Sequence, residues 1–276
     1  MSDVTVSRVA RVSRASASRK VPRWMHWRAW LPTTVMFACV AVLWQVVAFS
    51  NPYVLPTLGD IGSSLVNDAG MYWSNFLITL QEIVVGAGAG ILAGFALAVV
   101  MAEFRIVERA VMPLVVIIMV TPIVAIAPAL VVAFGFGMIP KYIVTGLVVF
   151  FPMLVNSLAG LRNVDQRALD VMKTLHASRL EVFRFLRLPG CMPYVFAGLR
   201  IALPMAVVGA AVAEFVAAGQ QAGLGSLVTT SAAQANLAVT WGAITLLAQT
   251  GVMLVILHAV VRKRVLWWSE DDVTAR

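Results

Sequence analysis

The sequence predicts an all-α membrane protein with six transmembrane helices, and three observations support this class. Of its 276 residues, 61% are hydrophobic and only 12% are charged, and the mean hydropathy is +0.89. A soluble domain has about 45–50% apolar and about 25% charged residues, so a soluble core of this size cannot bury so much apolar surface. Apolar stretches of the length that a spanning helix needs, about 20 residues, recur along the chain, with basic segments between them.

The apolar stretches place the predicted spans and divide the chain. The spans are expected at residues 31–49, 75–101, 111–134, 140–161, 193–217 and 240–262. A basic N-terminal tail, residues 1–30, precedes the transmembrane domain of residues 31–262, and residues 263–276 form a C-terminal tail. The N-terminal tail is rich in Ser, Arg and Ala and is expected to be disordered, because it has little apolar surface to bury.

The placement of basic residues predicts the orientation in the membrane. Of the 21 Lys and Arg residues, 19 fall on one side of the predicted topology, whereas Lys141 lies in an opposite loop and Arg200 inside a span. Positive residues mark the cytoplasmic side, so both termini are expected in the cytoplasm of a multi-pass inner (plasma) membrane protein. The basic residues flank the membrane and no nucleic-acid-binding motif accompanies them, so no nucleic-acid partner is expected.

Three glycines predict close helix packing in the second span. Gly86, Gly90 and Gly94 follow one another at four-residue spacing and share one helix face. Small residues at this spacing let two backbones approach closely in a membrane. The partner helix can belong to the same subunit or to a second one, and the spacing does not distinguish between the two.

Polar and helix-breaking residues inside the spans are candidates for a transport pathway. Thr121-Pro122 and Pro128 are expected to break the third span, and the carbonyls that they free need polar partners or water. Ionisable side chains at membrane depth are costly and mark functional positions. The pathway candidates are Thr121, Pro122, Ala125, Pro128, Asn156 and Glu214. Alternatively, the prolines kink a packing helix, Asn156 bonds across helices, and Glu214 pairs with a neighbour or reaches interfacial water.

An amphipathic, basic stretch separates the fourth and fifth spans. Its apolar residues recur near helical spacing with charges between them: Leu169, Met172, Leu175, Leu180, Phe183 and Leu186. Ala177-Ser178 permits a turn between two short helices, and Pro189 and Pro193 are expected to break the helix before the fifth span. Such a segment can lie against a partner protein, or it can rest on lipid headgroups as an interfacial helix.

Residues 168–190 resemble the signature loop of ABC-importer permeases, in which a Glu-Ala-Ala triplet is followed by Gly and then by Leu-Pro. Asp170-Val171-Met172 stands at the triplet, His176 stands at the Gly, which would permit a left-handed turn, and Leu188-Pro189 matches. Further stretches are similar to permeases of the nitrate/sulfonate/taurine type: residues 122–128, 134–137, 197–200, 213–215 and 223–225.

The resemblance implies a type I importer permease with a cytoplasmic coupling helix between the fourth and fifth spans. In that family the loop docks in a groove of a separate ATPase subunit. The residues that the resemblance assigns to ATPase coupling are Asp170, Val171, Met172, Lys173, Thr174, Leu175, His176, Ala177, Ser178, Leu188 and Pro189.

The resemblance also implies the partners and the function. The chain lacks the Gly-x-x-x-x-Gly-Lys-Ser/Thr phosphate loop, so it is not expected to be an enzyme, and ATP and Mg are expected on two copies of a partner ATPase. The expected complex adds a second permease subunit, as a homodimer, and a periplasmic or lipid-anchored solute-binding protein. The expected substrate is a small organic anion such as a sulfonate or taurine, or nitrate. The alternative is a vitamin or pyrimidine precursor.

The residues alone argue against two other classes of membrane protein. A secondary transporter or a channel needs intramembrane ion relays or paired broken helices in two repeats, whereas one broken span and no repeat are found. A membrane-embedded enzyme needs clustered His, Asp or Cys in the spans, but His258 is the single span histidine. No Cys/His cluster has metal-ligand spacing, so no cofactor or metal is expected on this chain.

Overall fold

The computed structural model describes residues 27–216 and 222–268, and every regular element in these ranges is helical, which confirms the all-α prediction. The elements divide into two compact units with a boundary between Asn51 and Pro52. The helices are α1 (Trp27–Ser50), α2 (Leu58–Asn67), α3 (Ala69–Glu82), α4 (Gly88–Glu103), α5 (Arg105–Val120), α6 (Ile123–Phe134), α7 (Met138–Arg162), α8 (Gln166–Thr174), α9 (Arg179–Val182), α10 (Leu188–Val216), α11 (Leu224–Ala233) and α12 (Leu237–Val265).

The first unit consists of α1 in its described part, and the predicted N-terminal tail lies outside the described residues apart from positions 27–30. The helix covers the predicted first span and ends at Ser50, whose hydroxyl donates to the Val46 carbonyl over 3.0 Å. Pro52 follows directly and cannot continue the helix, because it lacks the backbone N–H that the next turn needs.

Among the described residues, five helices are long and apolar enough to span a membrane, and a bent pair supplies a sixth span if it is counted as one. The bent pair is α5 and α6, which meet at 99° across Thr121-Pro122. The break predicted at Thr121-Pro122 is therefore present. The second predicted break is absent, since Pro128 lies inside α6, which continues to Phe134.

Two of the spanning helices are longer than predicted because a π turn joins two α-helical parts. The π turn Ile83–Ala87 links α3 to α4, giving one helix from Ala69 to Glu103. The π turn Phe183–Arg187 links α9 to α10, giving one helix from Arg179 to Val216. Single π turns occur inside α-helices and often mark functional positions.

The prediction that Pro189 and Pro193 break the helix before the fifth span is wrong. Both residues lie inside the continuous helix, directly after the π turn. In that turn the Leu188 N–H donates to the Phe183 carbonyl, five residues back. The wider turn changes the hydrogen-bond register next to Pro189, so the missing N–H of proline is accommodated without ending the helix.

The core of the second unit is α7, which packs against α4 and α10. The glycine-lined face predicted in the second span contacts α7 of the same chain. A Cβ placed on Gly90 would lie 2.2 Å from the Gly146 carbonyl oxygen, and one on Gly94 would lie 2.7 Å from the Phe150 carbonyl oxygen. The prediction of close packing is confirmed, and the partner helix belongs to the same subunit.

The short helices α2 and α11 pack against α12 at one end of the bundle. A capping box starts α2, with the Thr57 hydroxyl accepting the Asp60 N–H and the Asp60 carboxylate accepting the Thr57 N–H. The Ser64 and Tyr72 hydroxyls lie 2.8 Å apart and join α2 to α3. Residues 217–221, which connect α10 to α11, lie outside the described residues.

Candidate functional site

The loop between the fourth and fifth spans begins with α8, which has defined caps at both ends. The Asp165 carboxylate accepts the Arg167 N–H over 2.9 Å at the first turn. At the other end, the Ala177 N–H donates to the Met172 carbonyl and the His176 N–H donates to the Lys173 carbonyl, both over 3.0 Å. These two bonds are the Schellman arrangement, which reverses the chain after a helix.

His176 occupies the left-handed position of this turn, with a φ of 54°. This is the residue that stands where the family pattern has Gly. Glycine adopts such a φ without steric cost, whereas other residues do so at about 1–2 kcal/mol. Histidine is among the side chains that occur there more often than most. The departure from the pattern therefore keeps the turn and stores a small backbone strain in it.

A second capping box at Ser178 starts the long helix of the fifth span. The Ser178 hydroxyl accepts the Glu181 N–H, and the Glu181 carboxylate accepts the Ser178 N–H over 2.7 Å. From Arg179 the helix then runs to Val216 without interruption. The turn at residues 175–178 leads directly into Arg179, the first residue of that helix. The loop is thus attached rigidly to a membrane span.

Most of the predicted coupling residues lie on the surface of the loop. Within α8 no residue is buried, and the apolar side chains of Val171, Leu175 and Leu180 are 57%, 70% and 72% exposed. Asp170 accepts a hydrogen bond from Lys173 over 2.8 Å, and this contact lowers the pKa of the Asp170 carboxyl. Met172 and Ala177 are half-buried, and Lys173, Thr174, His176 and Ser178 are exposed; Leu188 and Pro189 instead open α10.

Ion pairs that the sequence did not reveal connect this region to the turn between α4 and α5. Arg187, in the π turn, donates to Glu103 over 2.6 Å, and Arg162, at the end of α7, forms a two-bonded pair with Glu108. The residues around these pairs line an open cavity of about 1080 Å³. Glu103 ends α4 and Glu108 lies in the first turn of α5, so both flank the same interhelical turn.

A second cavity, of about 640 Å³, lies at the break between α5 and α6 and is bordered by α7 and α10. Three of the six pathway candidates line it: Thr121, Pro122 and Asn156. The Thr121 hydroxyl donates to the Ile117 carbonyl over 2.9 Å, and the Asn156 amide donates to the Pro152 carbonyl over 2.7 Å. The described residues that line this cavity include no charged side chain.

The remaining pathway candidates lie elsewhere. Ala125 and Pro128 are exposed on α6, outside the residues that line the cavity. Glu214 is fully buried near the end of α10, where its carboxylate accepts the Thr79 hydroxyl over 2.7 Å and the Ser226 N–H over 3.0 Å. The structure therefore brings three candidates together and leaves Glu214 in a separate polar site.

That site joins four helices and is here named the buried polar cluster: Thr79, Glu82, Lys141, Glu214 and Ser226. The Lys141 ammonium donates to Glu82 over 2.9 Å, and both side chains are almost completely buried. The Ser226 hydroxyl donates to the Glu214 carbonyl over 3.2 Å, and the Thr79 hydroxyl accepts the Leu224 N–H over 2.8 Å. Lys141, which was predicted to lie in a loop, instead lies in the first turn of α7 and is buried there.

Glycines allow the chain to approach the Glu214 carboxylate closely. A Cβ on Gly223 would lie 2.2 Å from Glu214 Oε1, and one on Gly225 would lie 2.9 Å from Glu214 Oε2. The small residues of the Gly223-Leu224-Gly225 stretch thus let the backbone come close, so that the Ser226 N–H reaches the Glu214 carboxylate and the Leu224 N–H reaches the Thr79 hydroxyl. Within the described residues, no group of three or more His, Cys, Asp and Glu side chains is placed to hold a metal.

The helical spans, the exposed helical loop fused to the fifth span and the broken third span together define a multi-pass membrane transport subunit. Residues 88–267 match the family described as the binding-protein-dependent transport system inner membrane component, and the chain belongs to this family. The resemblance to importer permeases noted in the sequence is thereby confirmed.

Individual relatives extend the comparison over most of the chain. A probable ABC transporter permease protein of Haemophilus influenzae is 33% identical over 227 residues, which cover 81% of this chain and 92% of the relative. The formylaminopyrimidine transport permease protein of Halalkalibacterium halodurans is 34% identical over 198 residues, 71% of this chain and 78% of the relative. The taurine transport system permease protein of Escherichia coli is 29% identical over 216 residues, 74% and 78% of the two chains.

Proposed function

We propose that this chain forms the substrate pathway of an ATP-driven importer and is driven through its helical loop by a separate ATPase. The observation that carries the proposal is the exposed apolar surface of the loop, formed by Val171, Leu175 and Leu180. Exposed apolar side chains beside a rigid attachment to a span favour a surface that a partner covers. The long helix that starts at Arg179 gives that partner a direct mechanical link to the membrane domain.

The docking surface is tested by placing a charge in it. Leu175→Asp should abolish co-purification of the ATPase while the subunit stays folded, because the partner would have to bury an unpaired carboxylate. Val66→Asp is the matched control, since Val66 is 76% exposed on α2, far along the chain from the loop. Full ATPase stoichiometry with Leu175→Asp would place the docking surface elsewhere.

The proposed complex is a homodimer of this chain with two ATPase copies that bind ATP and Mg, and with a solute-binding protein on the outer side. Both termini and the loop of residues 162–190 are proposed to face the cytoplasm, from the distribution of basic residues. A Cys introduced at Ser178 in a Cys39→Ser background should resist an impermeant thiol reagent in intact cells. Cys191 is buried and should give little background. Rapid labelling would show that Ser178 faces the outside, and the proposed topology would then be wrong.

The cavity at the third-span break bears on the substrate class. An organic anion was expected, but the lining of this cavity is uncharged and mostly apolar. Moving an unpaired anion into such surroundings costs far more than moving a neutral polar molecule. The lining therefore favours a neutral heterocycle, in line with the relative named for formylaminopyrimidine transport, over a sulfonate, including the zwitterion taurine.

Uptake assays separate these substrate classes and the competing transport mechanisms. Vesicles that hold the complete complex and its binding protein should accumulate a labelled formylaminopyrimidine rather than labelled taurine. Accumulation of taurine would restore the sulfonate class. Vesicles that hold this chain alone should be inert, because a channel or a secondary carrier works without an ATPase. Transport by the isolated chain would overturn the importer proposal.

A further inference from the structure

The buried polar cluster holds more negative than positive charge. Glu82 and Glu214 are 0% exposed and Lys141 is 1% exposed, so two carboxyl groups face one ammonium inside the protein. With all three ionised, one net negative charge would remain buried at membrane depth, which is costly. The remaining buried basic side chain in the described residues, His258, bonds to the Phe196 carbonyl instead. Residues 217–221 are Ala, Gly and Gln, so they add no charge.

The hydrogen bonds of Glu214 favour it as the ionised carboxylate of the pair. Both of its oxygens accept, one from the Thr79 hydroxyl and one from the Ser226 N–H. The Thr79 hydroxyl accepts the Leu224 N–H. Its oxygen lies 2.7 Å from Glu214 Oε1, which is the shortest contact in which the hydroxyl can donate its proton. A carboxyl group that only accepts is in its charged form, because a protonated carboxyl donates through one oxygen.

Glu82 has an oxygen that is not accounted for. Its Oε1 accepts from Lys141, whereas its Oε2 is buried and has no hydrogen-bond partner among the residues that the structure describes. Besides Lys141, the ionisable group that interacts with Glu82 is the Glu214 carboxyl. Two ionised carboxylates can only accept, so they cannot bond to each other. A proton on Glu82 Oε2 would convert the unpartnered acceptor into a donor.

We infer that Glu82 is protonated in the folded protein and donates its O–H to the Glu214 carboxylate. One proton then makes the cluster electrically neutral and completes its hydrogen bonds. The neutral cluster joins α3, α7, α10 and α11 at one end of the bundle. The same α10 continues into the helix that carries the loop, so Glu82 positions the far end of that helix. The protonation of Glu82 does not depend on the proposed function, whereas the positioning role of Glu82 rests on that function.

Infrared spectroscopy of the purified full-length chain at neutral pH tests the proton. The wild type should show the C=O stretch of a buried protonated carboxyl, and Glu82→Gln should lack it. Glu82→Gln should also keep the wild-type Tm, because its amide supplies an oxygen for Lys141 and an N–H for Glu214. Leucine is similar in size to glutamate but supplies neither an oxygen nor an N–H, so the Tm of Glu82→Leu should fall. Absence of the band in the wild type overturns the inference, and a Tm raised by Na⁺ would then indicate a bound cation.

The positioning role has its own readout in the reconstituted complex. Glu82→Gln should retain the stimulation of ATP hydrolysis by the loaded binding protein, and Glu82→Leu should lose it severalfold while still binding the ATPase. Loss of stimulation in Glu82→Gln would overturn the positioning role but would not bear on the protonation of Glu82. Failure of the wild-type chain to bind any ATPase would instead refute the proposed function, with the infrared band unaffected.

Discussion

Replacement of Gly90 by Ala tests the packing that organises the membrane domain. The added Cβ would lie 2.2 Å from the Gly146 carbonyl oxygen, whereas ordinary contact begins near 3.4 Å. Both atoms belong to rigid positions on α4 and α7, so no side-chain rotation can relieve the overlap. The two helices would have to separate by about 1 Å, with loss of the surrounding dispersion contacts.

The expected cost lies at the upper end of the range for overpacked cores, about 3 kcal/mol. Gly88→Ala is the matched control, because it lies two residues away in the same helix with no atom within 4 Å of the added Cβ. The control should be neutral or stabilising by about 0.5–1 kcal/mol, since Ala restricts the unfolded chain more than Gly.

Unfolding of the purified subunit by a denaturing detergent, followed by circular dichroism, measures both variants on one scale. The predicted difference between Gly90→Ala and Gly88→Ala is about 3–4 kcal/mol, the sum of the two effects. Equal midpoints for the two variants would refute the close contact between α4 and α7. A lower midpoint for Gly88→Ala would show that the opposite helix face carries the packing.

Three further predictions concern the loop and the pathway. His176→Gly should keep ATPase binding and stabilise the subunit by up to about 1 kcal/mol in thermal unfolding, whereas His176→Val should destabilise it by about 1–2 kcal/mol; equal stabilities would argue against a left-handed turn. Ser178→Ala should lower stability by about 1 kcal/mol through loss of the helix cap, and an unchanged Tm would exclude that role. Thr121→Trp, in the cavity at the break between α5 and α6, should block uptake without preventing assembly, whereas Ala125→Trp, outside that cavity, should leave uptake unchanged; the reverse result would move the route to the exposed face of α6.

Elements that depend on local sequence were predictable. The apolar stretches located the spans, the Gly86, Gly90 and Gly94 spacing located a packing face, and Thr121-Pro122 located the break. Each of these signals acts within a few residues, through helix periodicity, side-chain volume or a missing N–H. The left-handed turn at His176 belongs to the same group, although it was noticed through the glycine that the family pattern places there.

Pairings between distant residues were not predictable from one chain. Lys141 and Glu82 are 59 positions apart, and Thr79 and Glu214 are 135 positions apart. No periodicity links such residues, because their proximity follows from how whole helices pack. The continuous helix through Pro189 was also missed. Proline normally ends a helix, and the π turn that accommodates it depends on the packing of the entire helix rather than on a recognisable motif.

The length of the fifth spanning helix has a geometric consequence for the whole complex. It contains 38 residues from Arg179 to Val216, which at 1.5 Å per residue amounts to about 57 Å. The hydrocarbon layer is about 30 Å thick, and a tilt of about 20° lengthens the path through it only slightly. A large part of the helix must therefore stand clear of the lipid. If Glu214 lies near the outer surface, the part of the helix that stands clear of the lipid is the part next to the loop. An ATPase bound to the loop would then act on the end of a long helix. Small rotations of the loop would produce displacements of several ångströms inside the membrane.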